Sequence, residues 1–296
     1  MEFATIKRSR GDVVFDVINV LLCCIIFVLV AYPLIFVVSA SLSNPLDVMQ
    51  GTMRLWPVNF QLDSYTLIMQ YPQVFVGYRN SLFLVVAGTS INLVMTILAA
   101  YPLSRPDLWG RGVIMKLLVF TMVFSGGMIP TFLVVQAAGL LDSLFALIIP
   151  TMISMFNLIV MRTFFMNTIP ESLYEASYMD GANNIQTLFM VVLPLSKAII
   201  AVICLFYGVA HWNQFFQAIL YITSRNLQPL QVVLREIILM AQVQEVVDLV
   251  GAEQHLLQAE GLRYSLIVVA SVPVLAVYPF IQRYFVKGVM IGAIKG

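Results

Sequence analysis

The sequence predicts an all-α integral membrane protein with six transmembrane helices, and three observations lead there. Of its 296 residues, 60% are hydrophobic and only 10% are charged, where a soluble domain carries roughly a quarter charged residues. Mean hydropathy is +0.93. Asp, Glu, Lys and Arg are the residues most penalised at the bilayer centre, and a span needs about 20 apolar residues. Six long windows contain none of them: 17–46, 80–104, 117–141, 143–161, 198–224 and 264–282. A net charge of only +1 argues against a nucleic-acid partner, whose binding domains carry a basic patch.

The first window follows Lys7, Arg8 and Arg10, as a secretory signal would, but its apolar run exceeds the roughly 7–15 residues of a signal. It is expected to stay in the chain as a span, with 1–16 a short cytoplasmic segment ahead of one membrane domain at 17–296. Stretches 64–78 and 181–196 are charge-free but short and carry Gln70, Pro72, Gln73, Asn183, Asn184 and Gln186. They are expected at the interface. Ser125-Gly126-Gly127 and Pro130 in the third span, Pro150 in the fourth, and Pro273 and Pro279 in the sixth predict bends. In lipid such bends are tolerated where neighbouring helices or water satisfy the freed backbone groups.

Basic residues set the orientation. With the N-terminus inside, eleven of the sixteen Lys and Arg fall on the cytoplasmic side: Lys7, Arg8, Arg10, Arg105, Arg111, Lys116, Arg162, Lys197, Arg283, Lys287 and Lys295. Five fall outside: Arg54, Arg79, Arg225, Arg235 and Arg263. Both termini are therefore expected in the cytoplasm, with 47–78 and 225–262 outside. From Gln231 to Leu249, Val232, Leu234, Ile238, Leu239, Val243, Val246 and Val247 recur among Arg235, Glu236, Glu245 and Asp248, which suits an amphipathic helix on the outer surface. It would act as a gate or as a plain cap. Trp56 and Tyr71 outside and Trp109 inside fit interfacial belts. Cys23, Cys24 and Cys204 have neither disulfide nor zinc spacing and read as packing residues. His255 has no ligand-spaced partner.

Between the fourth and fifth spans, 162–197 is the most informative stretch. Pro170 suits the first position of a helix, Glu171 favours its N-terminal dipole, and Gly181 supplies the left-handed residue that ends it. A helix of about 15 Å is expected at about 1.5 Å per residue, with Glu171 and Glu175 stacked four apart. A second start at Asn183-Asn184 runs to Pro194. A small-residue face beside an acid fits a groove on another protein, although a solvated connector has the same pattern.

Glu175-Ala176-Ser177, three residues, Gly181, nine residues, Val191, one residue and Leu193-Pro194 resemble the EAA loop of the permease subunits of ABC importers. Ser177 stands where alanine is usual and Val191 where isoleucine is usual. Asn80-Ser81, the run Ala99 to Arg105, and Trp212-Asn213 resemble marks of the maltose-permease-like carbohydrate class. Ser125 to Pro130, Met161 to Phe165, His211 to Asn213 and Leu227 to Gln231 are most similar to its Gram-positive complex-oligosaccharide branch. The resemblance covers roughly 12–296. It implies a type I ABC importer permease fold in a bacterial cell membrane and half of a heterodimeric pore completed by a second permease. It further implies two ABC ATPase subunits that carry ATP and Mg, and an extracellular lipid-anchored binding protein that delivers an oligosaccharide. Coupling would fall to Glu171, Glu175, Ala176, Ser177, Asp180, Gly181, Leu193 and Pro194. This chain would bind no cofactor itself.

Uncharged sugars are held by amides, hydroxyls and aromatic faces, so the candidates for a substrate path are Asn92, Asn157, Trp212, Asn213, Gln214 and Gln217. The same residues also serve as interhelical glue. Two other functions are weighed. A stand-alone secondary transporter or channel often places acids within its spans, and the six windows hold none. An intramembrane protease would pair Ser125 with His211, but Phe124-Ser125-Gly126-Gly127 is not the usual nucleophile context. The sequence has no Gly-X-X-X-X-Gly-Lys-Ser/Thr loop, so a non-catalytic subunit is expected.

Overall fold

The structure is a computed structural model in which residues 10–247 and 252–293 are described. Lys7, Arg8, Lys295, Asp248 and Leu249, and the side chains of Arg10, Glu245, His255, Arg283 and Lys287, lie outside the described residues. The described chain is helical, and it divides into two compact units, Met1–Gln70 with Ile238–Val269 and Tyr71–Ile237 with Ala270–Gly296.

In the first unit, α1 (Arg10–Ser41) is apolar on all sides beyond its first turns and exposed along most of its length before a buried last turn, as a helix facing lipid would be. Its last turn is tied down by serines. Ser39 Oγ donates to Leu55 O at 2.6 Å, and Tyr65 OH donates to Ser41 Oγ at 2.7 Å. Asn44 then caps α2 (Pro45–Met49), accepting from Leu46 N at 2.9 Å, and α3 (Asp63–Met69) follows.

The second unit begins with a helix longer than its charge-free window. α4 (Pro72–Phe83), a π turn at Leu84–Gly88 and α5 (Thr89–Ser104) run on without a break. The helix therefore starts at Pro72, eight residues before the charge-free window, because proline is tolerated in a first helical turn and Arg79 Nη2 is taken up by Asn226 O. α6 (Arg111–Val123) and α7 (Met128–Ala137) meet at 114° across the Ser-Gly-Gly break. Two short 3-10 turns around Pro150 precede α8 (Met155–Thr168) at a 50° bend. Then come α9 (Glu171–Met179), α10 (Asn184–Thr187), a π turn at Leu188–Val192 and α11 (Leu193–Leu195). α12 (Lys197–Trp212) leaves that segment at 84°. The window 198–224 is not one helix: α12 stops at Trp212, and α13 (Phe216–Tyr221) is separate.

α14 (Leu230–Val247) buries Val232, Val233, Leu234 and Ile237, so this part of the amphipathic stretch packs on protein. α15 (Ala252–Ala293) contains both Pro273 and Pro279 without ending. Three uninterrupted helices among the described residues, Gly11–Ser41, Pro72–Ser104 and Leu257–Pro279, are long and apolar enough to cross a membrane, or up to six if each bent pair is one span.

The core of the second unit is where α5 packs on α8 and α12, around Ala100, Leu158, Met161, Phe165, Val192 and Ile203. Two of the sequence marks clamp a loop onto this unit. Asn80 Nδ2 donates to Asn226 O and Gln228 O at 2.9 and 3.0 Å, and Leu230 N donates to Ser81 Oγ at 2.9 Å. The three cysteines are exposed rather than packed inside. On helices apolar all round, an apolar neighbourhood does not distinguish an outward from an inward position.

Candidate functional site

A cavity of about 430 Å³ in the second unit is lined by Asn92, Asn157, Asn213, Gln214 and Gln217, five of the six path candidates, together with His211 and Tyr207. Sequence reasoning missed Thr151, Ser154 and Phe156, which also line it. They sit around the 3-10 bend before α8, and a charge-free window gives no sign that its backbone turns there.

The cavity wall is a neutral hydrogen-bonded network. Asn92 Nδ2 donates to Thr151 O at 3.3 Å and lies 3.2 Å from His211 Nε2. An amide nitrogen only donates, so Nε2 accepts and His211 Nδ1 carries the proton toward Gln214 Oε1 at 3.3 Å. Gln214 Nε2 then donates to Leu147 O at 2.8 Å. Tyr207 OH joins Thr96 Oγ1 at 2.7 Å and accepts from Ser154 N at 2.9 Å. The Leu84–Gly88 π turn sets this up by bringing Gly88 against the imidazole. A Cβ on Gly88 would stand 2.6 Å from His211 Nε2. π turns of this sort are frequent at functional sites. With both ring nitrogens engaged, His211 is not free to activate Ser125, which lies in the α6–α7 break.

Trp212 is the candidate that the structure puts elsewhere. It is 4% exposed, its Nε1 donates to Ala270 O at 3.0 Å, and its ring lies 6.1 Å from that of Tyr78. At about 100° per residue, its neighbours in sequence face the cavity while Trp212 faces Pro273 and Leu82. Asn213 ends α12, with Nδ2 donating to Val209 O at 3.0 Å, and is exposed.

The second candidate region is α9. Pro170 is its N-cap and Glu171 its first residue, one position later than the sequence suggested, because Pro170 has the extended ψ of 142°. The helix closes as the glycine demands. Gly181 has φ +79°, its N–H donates to Tyr178 O, and Ala182 N–H donates to Ser177 O at 2.9 Å, a Schellman ending. Tyr174 and Ser177 face inward and are buried. Ser177 Oγ donates to Tyr174 O at 2.8 Å and meets Thr187 Oγ1 at 3.1 Å, so the serine in place of the usual alanine bonds α9 to α10. Glu175, Ala176, Met179 and Asp180 are exposed. Asn183 and Gln186 form a reciprocal capping box for α10. Leu193 packs on the core, and Pro194 is exposed on the turn before the 84° bend.

Arg105 joins α9 to α5. Only 8% exposed, it stacks 3.9 Å from the Tyr174 ring centroid, with Nη1 3.2 Å from Glu171 Oε1 and Nε 3.3 Å from Asp107 Oδ1. Burial pulls its pKa down, but Tyr178, Glu171, Asp107 and Tyr174 outweigh it, so the net shift is upward. Burial raises the Tyr174 pKa. Among the described residues there is no group of three or more His, Cys, Asp and Glu that could hold a metal ion.

No family model matches the chain. It is 37% identical over 300 residues to Protein LplC of Bacillus subtilis, covering 100% of this chain and 99% of that one. It is 44% identical over 265 residues to the Polygalacturonan/rhamnogalacturonan transport system permease protein YtcP of the same species, covering 89% and 92%. Among solved structures, a bacterial ABC transporter involved in the import of the acidic polysaccharide alginate contains a chain that matches with TM-score 0.83 and 35% identity, covering 95% of this chain and 100% of that one.

Proposed function

The chain belongs to the permease subunits of sugar ABC importers, and on that premise we propose how it divides the work of transport. It is a non-catalytic membrane subunit. It forms half of a heterodimeric pore, spans the membrane six times with each bent helix pair as one crossing, and keeps both termini in the cytoplasm, as the basic residues bias it. α9 with the segment to residue 190 docks in the cleft of an ABC ATPase that carries ATP and Mg. The cavity beside Asn92 and Asn213 receives sugar from an extracellular binding protein.

The observation that supports this reading most is the convergence of five amide candidates on one cavity whose lining holds no Asp, Glu, Lys or Arg. Amides and hydroxyls satisfy sugar hydroxyls without the desolvation cost that charges carry in a membrane. Because one relative is named for a polygalacturonan/rhamnogalacturonan transport system and the matching structure is of a transporter involved in the import of the acidic polysaccharide alginate, acidic oligosaccharides are the first substrates to try, and amide donors suit carboxylates as well as hydroxyls.

The test is to co-express the chain with its neighbouring permease, ATPase and binding-protein genes, purify the complex, and measure uptake and sugar-stimulated ATP hydrolysis in vesicles across neutral and acidic oligosaccharides. Import by this chain alone, without an ATPase subunit, would refute it in favour of a stand-alone transporter. For orientation, single cysteines at Ser64 and at Asn184 are expected to label from outside and only after permeabilisation, respectively.

A further inference from the structure

We propose that Arg105 is the positioning residue that transmits movement of the coupling helix α9 to the helix that lines the cavity. The inference rests on the coupling role of α9 proposed above and goes beyond it by naming the link. The run Ala99 to Arg105 is a sequence mark that neither the cavity nor the ATPase-facing surface of α9 uses. Its geometry gives it a task.

α5 ends at Ser104 because Arg105 takes an extended backbone with ψ 135° ahead of Pro106, as a residue before proline prefers. The side chain of the first residue beyond α5 is thereby free to leave the helix axis and reach α9. It does so in three ways at once: stacking on Tyr174, pairing with Glu171 on the same helix, and pairing with Asp107 in its own loop. The root of the residue is held equally well. Arg111 Nη1 donates to Arg105 O at 3.1 Å and Arg162 Nε donates to Leu103 O at 2.8 Å. These are the outward carbonyls at a helix C-terminus, where cations are favoured.

The other end of the same rigid element carries Asn92, thirteen residues earlier, about 20 Å away at about 1.5 Å per residue. Asn92 and Thr96 hold His211 and Tyr207 of α12 and, through them, Ser154 before α8. A push on α9 thus meets a side chain clamped at its tip and at its root, attached to a continuous helix whose far turns shape the cavity. Guanidinium planarity matters here. Lysine can pair with one acid but cannot stack on Tyr174 while presenting separate nitrogens to Glu171 and Asp107.

The test uses the whole reconstituted transporter and reads the ratio of sugar imported to ATP hydrolysed. Arg105→Gln and Tyr174→Leu are expected to assemble with all partners but to import about tenfold less per ATP, within the range by which residues along a coupling path act. Tyr174→Phe, which keeps the ring, is expected to match wild type, and Arg105→Lys to fall between. A wild-type ratio in Arg105→Gln or Tyr174→Leu overturns the proposal, and so does an equal loss in Tyr174→Phe and Tyr174→Leu. Should Arg105→Gln fail to assemble, the Tyr174 pair decides the matter with Arg105 intact. Glu175→Lys separates the two levels. If it leaves transport coupled, the role of α9 fails and this link with it. If it uncouples while Arg105→Gln and Tyr174→Leu keep the wild-type ratio, only Arg105 is discarded.

Discussion

One helical element, Pro72–Ser104, carries two polar regions built on opposite plans. Near its middle, Asn92 and Thr96 bond to an imidazole, a phenol and one backbone carbonyl, with no formal charge among the cavity-lining residues. Just past its end, Arg105 is held by two carboxylates and two tyrosines. Depth explains the difference. Ions are costly at the bilayer centre, so polarity there is expected to be neutral, and of the Asn92 amide only the nitrogen is bonded while its buried Oδ1 has no partner; beyond the span water and headgroups let ionic contacts form at modest cost. In the roles proposed above, the neutral region would discriminate by shape and hydrogen bonding, and the ionic region would transmit force between elements and to a partner. Changing charge should damage the second region most, and changing volume the first.

The largest effect is expected from Glu175→Lys. Glu175 is exposed on the outward face of α9 while Tyr174 and Ser177 anchor the helix from behind, so reversal leaves the fold intact and acts on the partner. Like charges brought together at an interface can cost several kcal/mol. Sugar-stimulated ATP hydrolysis and uptake should both be lost, or the ATPase subunit should fail to co-purify. Wild-type values for all three would erase the distinction between the two regions.

Gly88→Val attacks the neutral region by volume. The new side chain would start 2.6 Å from His211 Nε2, and displacing the ring strains its bonds to Asn92 and Gln214 together. Overpacking of this kind typically costs about 1–3 kcal/mol. A lower melting temperature of the detergent-purified chain and a loss of uptake are expected, with Gly88→Ala milder. An unshifted melting curve would mean that the ring relocates freely.

These two sites show what the sequence made legible. The EAA spacing and Gly181 announced α9, its left-handed stop and the capping-box start after it, because each rests on local backbone chemistry. Charge-free windows located the apolar segments but not their continuity. Pro72 opens a helix that the window begins eight residues later, and Asn213 ends one although the window runs on to residue 224. Gly88 was not singled out, since its close approach to His211 joins residues far apart in the chain. Trp212 and Asn213 were indistinguishable as neighbours in sequence, although one is buried beside Ala270 and the other lines the cavity. With helices apolar on every side, periodicity carries no record of which face meets which neighbour.

That last pair gives a smaller test. Asn213→Ala is expected to raise the sugar concentration needed for half-maximal uptake, by up to about 1–3 kcal/mol if a bound hydroxyl loses its partner, while assembly and melting stay unchanged. Trp212→Phe should do the reverse, lowering the melting temperature by removing the bond to Ala270 O without changing sugar selectivity. Matching effects of the two substitutions on selectivity would place both residues on the path.

The smallest effect concerns a charge that lies outside both regions. Asp142, at φ +56°, accepts from Thr223 N and Ser224 N at 3.0 and 2.8 Å and from Ser224 Oγ, while its own N–H donates to Tyr221 O at 2.8 Å. It pins the α13 exit to the turn after α7. The Ser224 hydroxyl foremost, then the Ser224 amide, hold its carboxyl below the usual range; burial opposes them, and the Thr223 amide adds least. A depressed folded pKa means that the clasp contributes its stability above the unfolded value of about 3.9 and loses it as pH falls through the folded value. Asp142→Asn keeps a residue that accepts positive φ but removes the charge. The melting temperature of wild type should exceed that of the variant at neutral pH, and the gap should close on acidification below pH about 4. A gap that stays constant or widens toward low pH would show that the clasp holds by shape alone, as the cavity does, and not by charge, as the Arg105 cluster does.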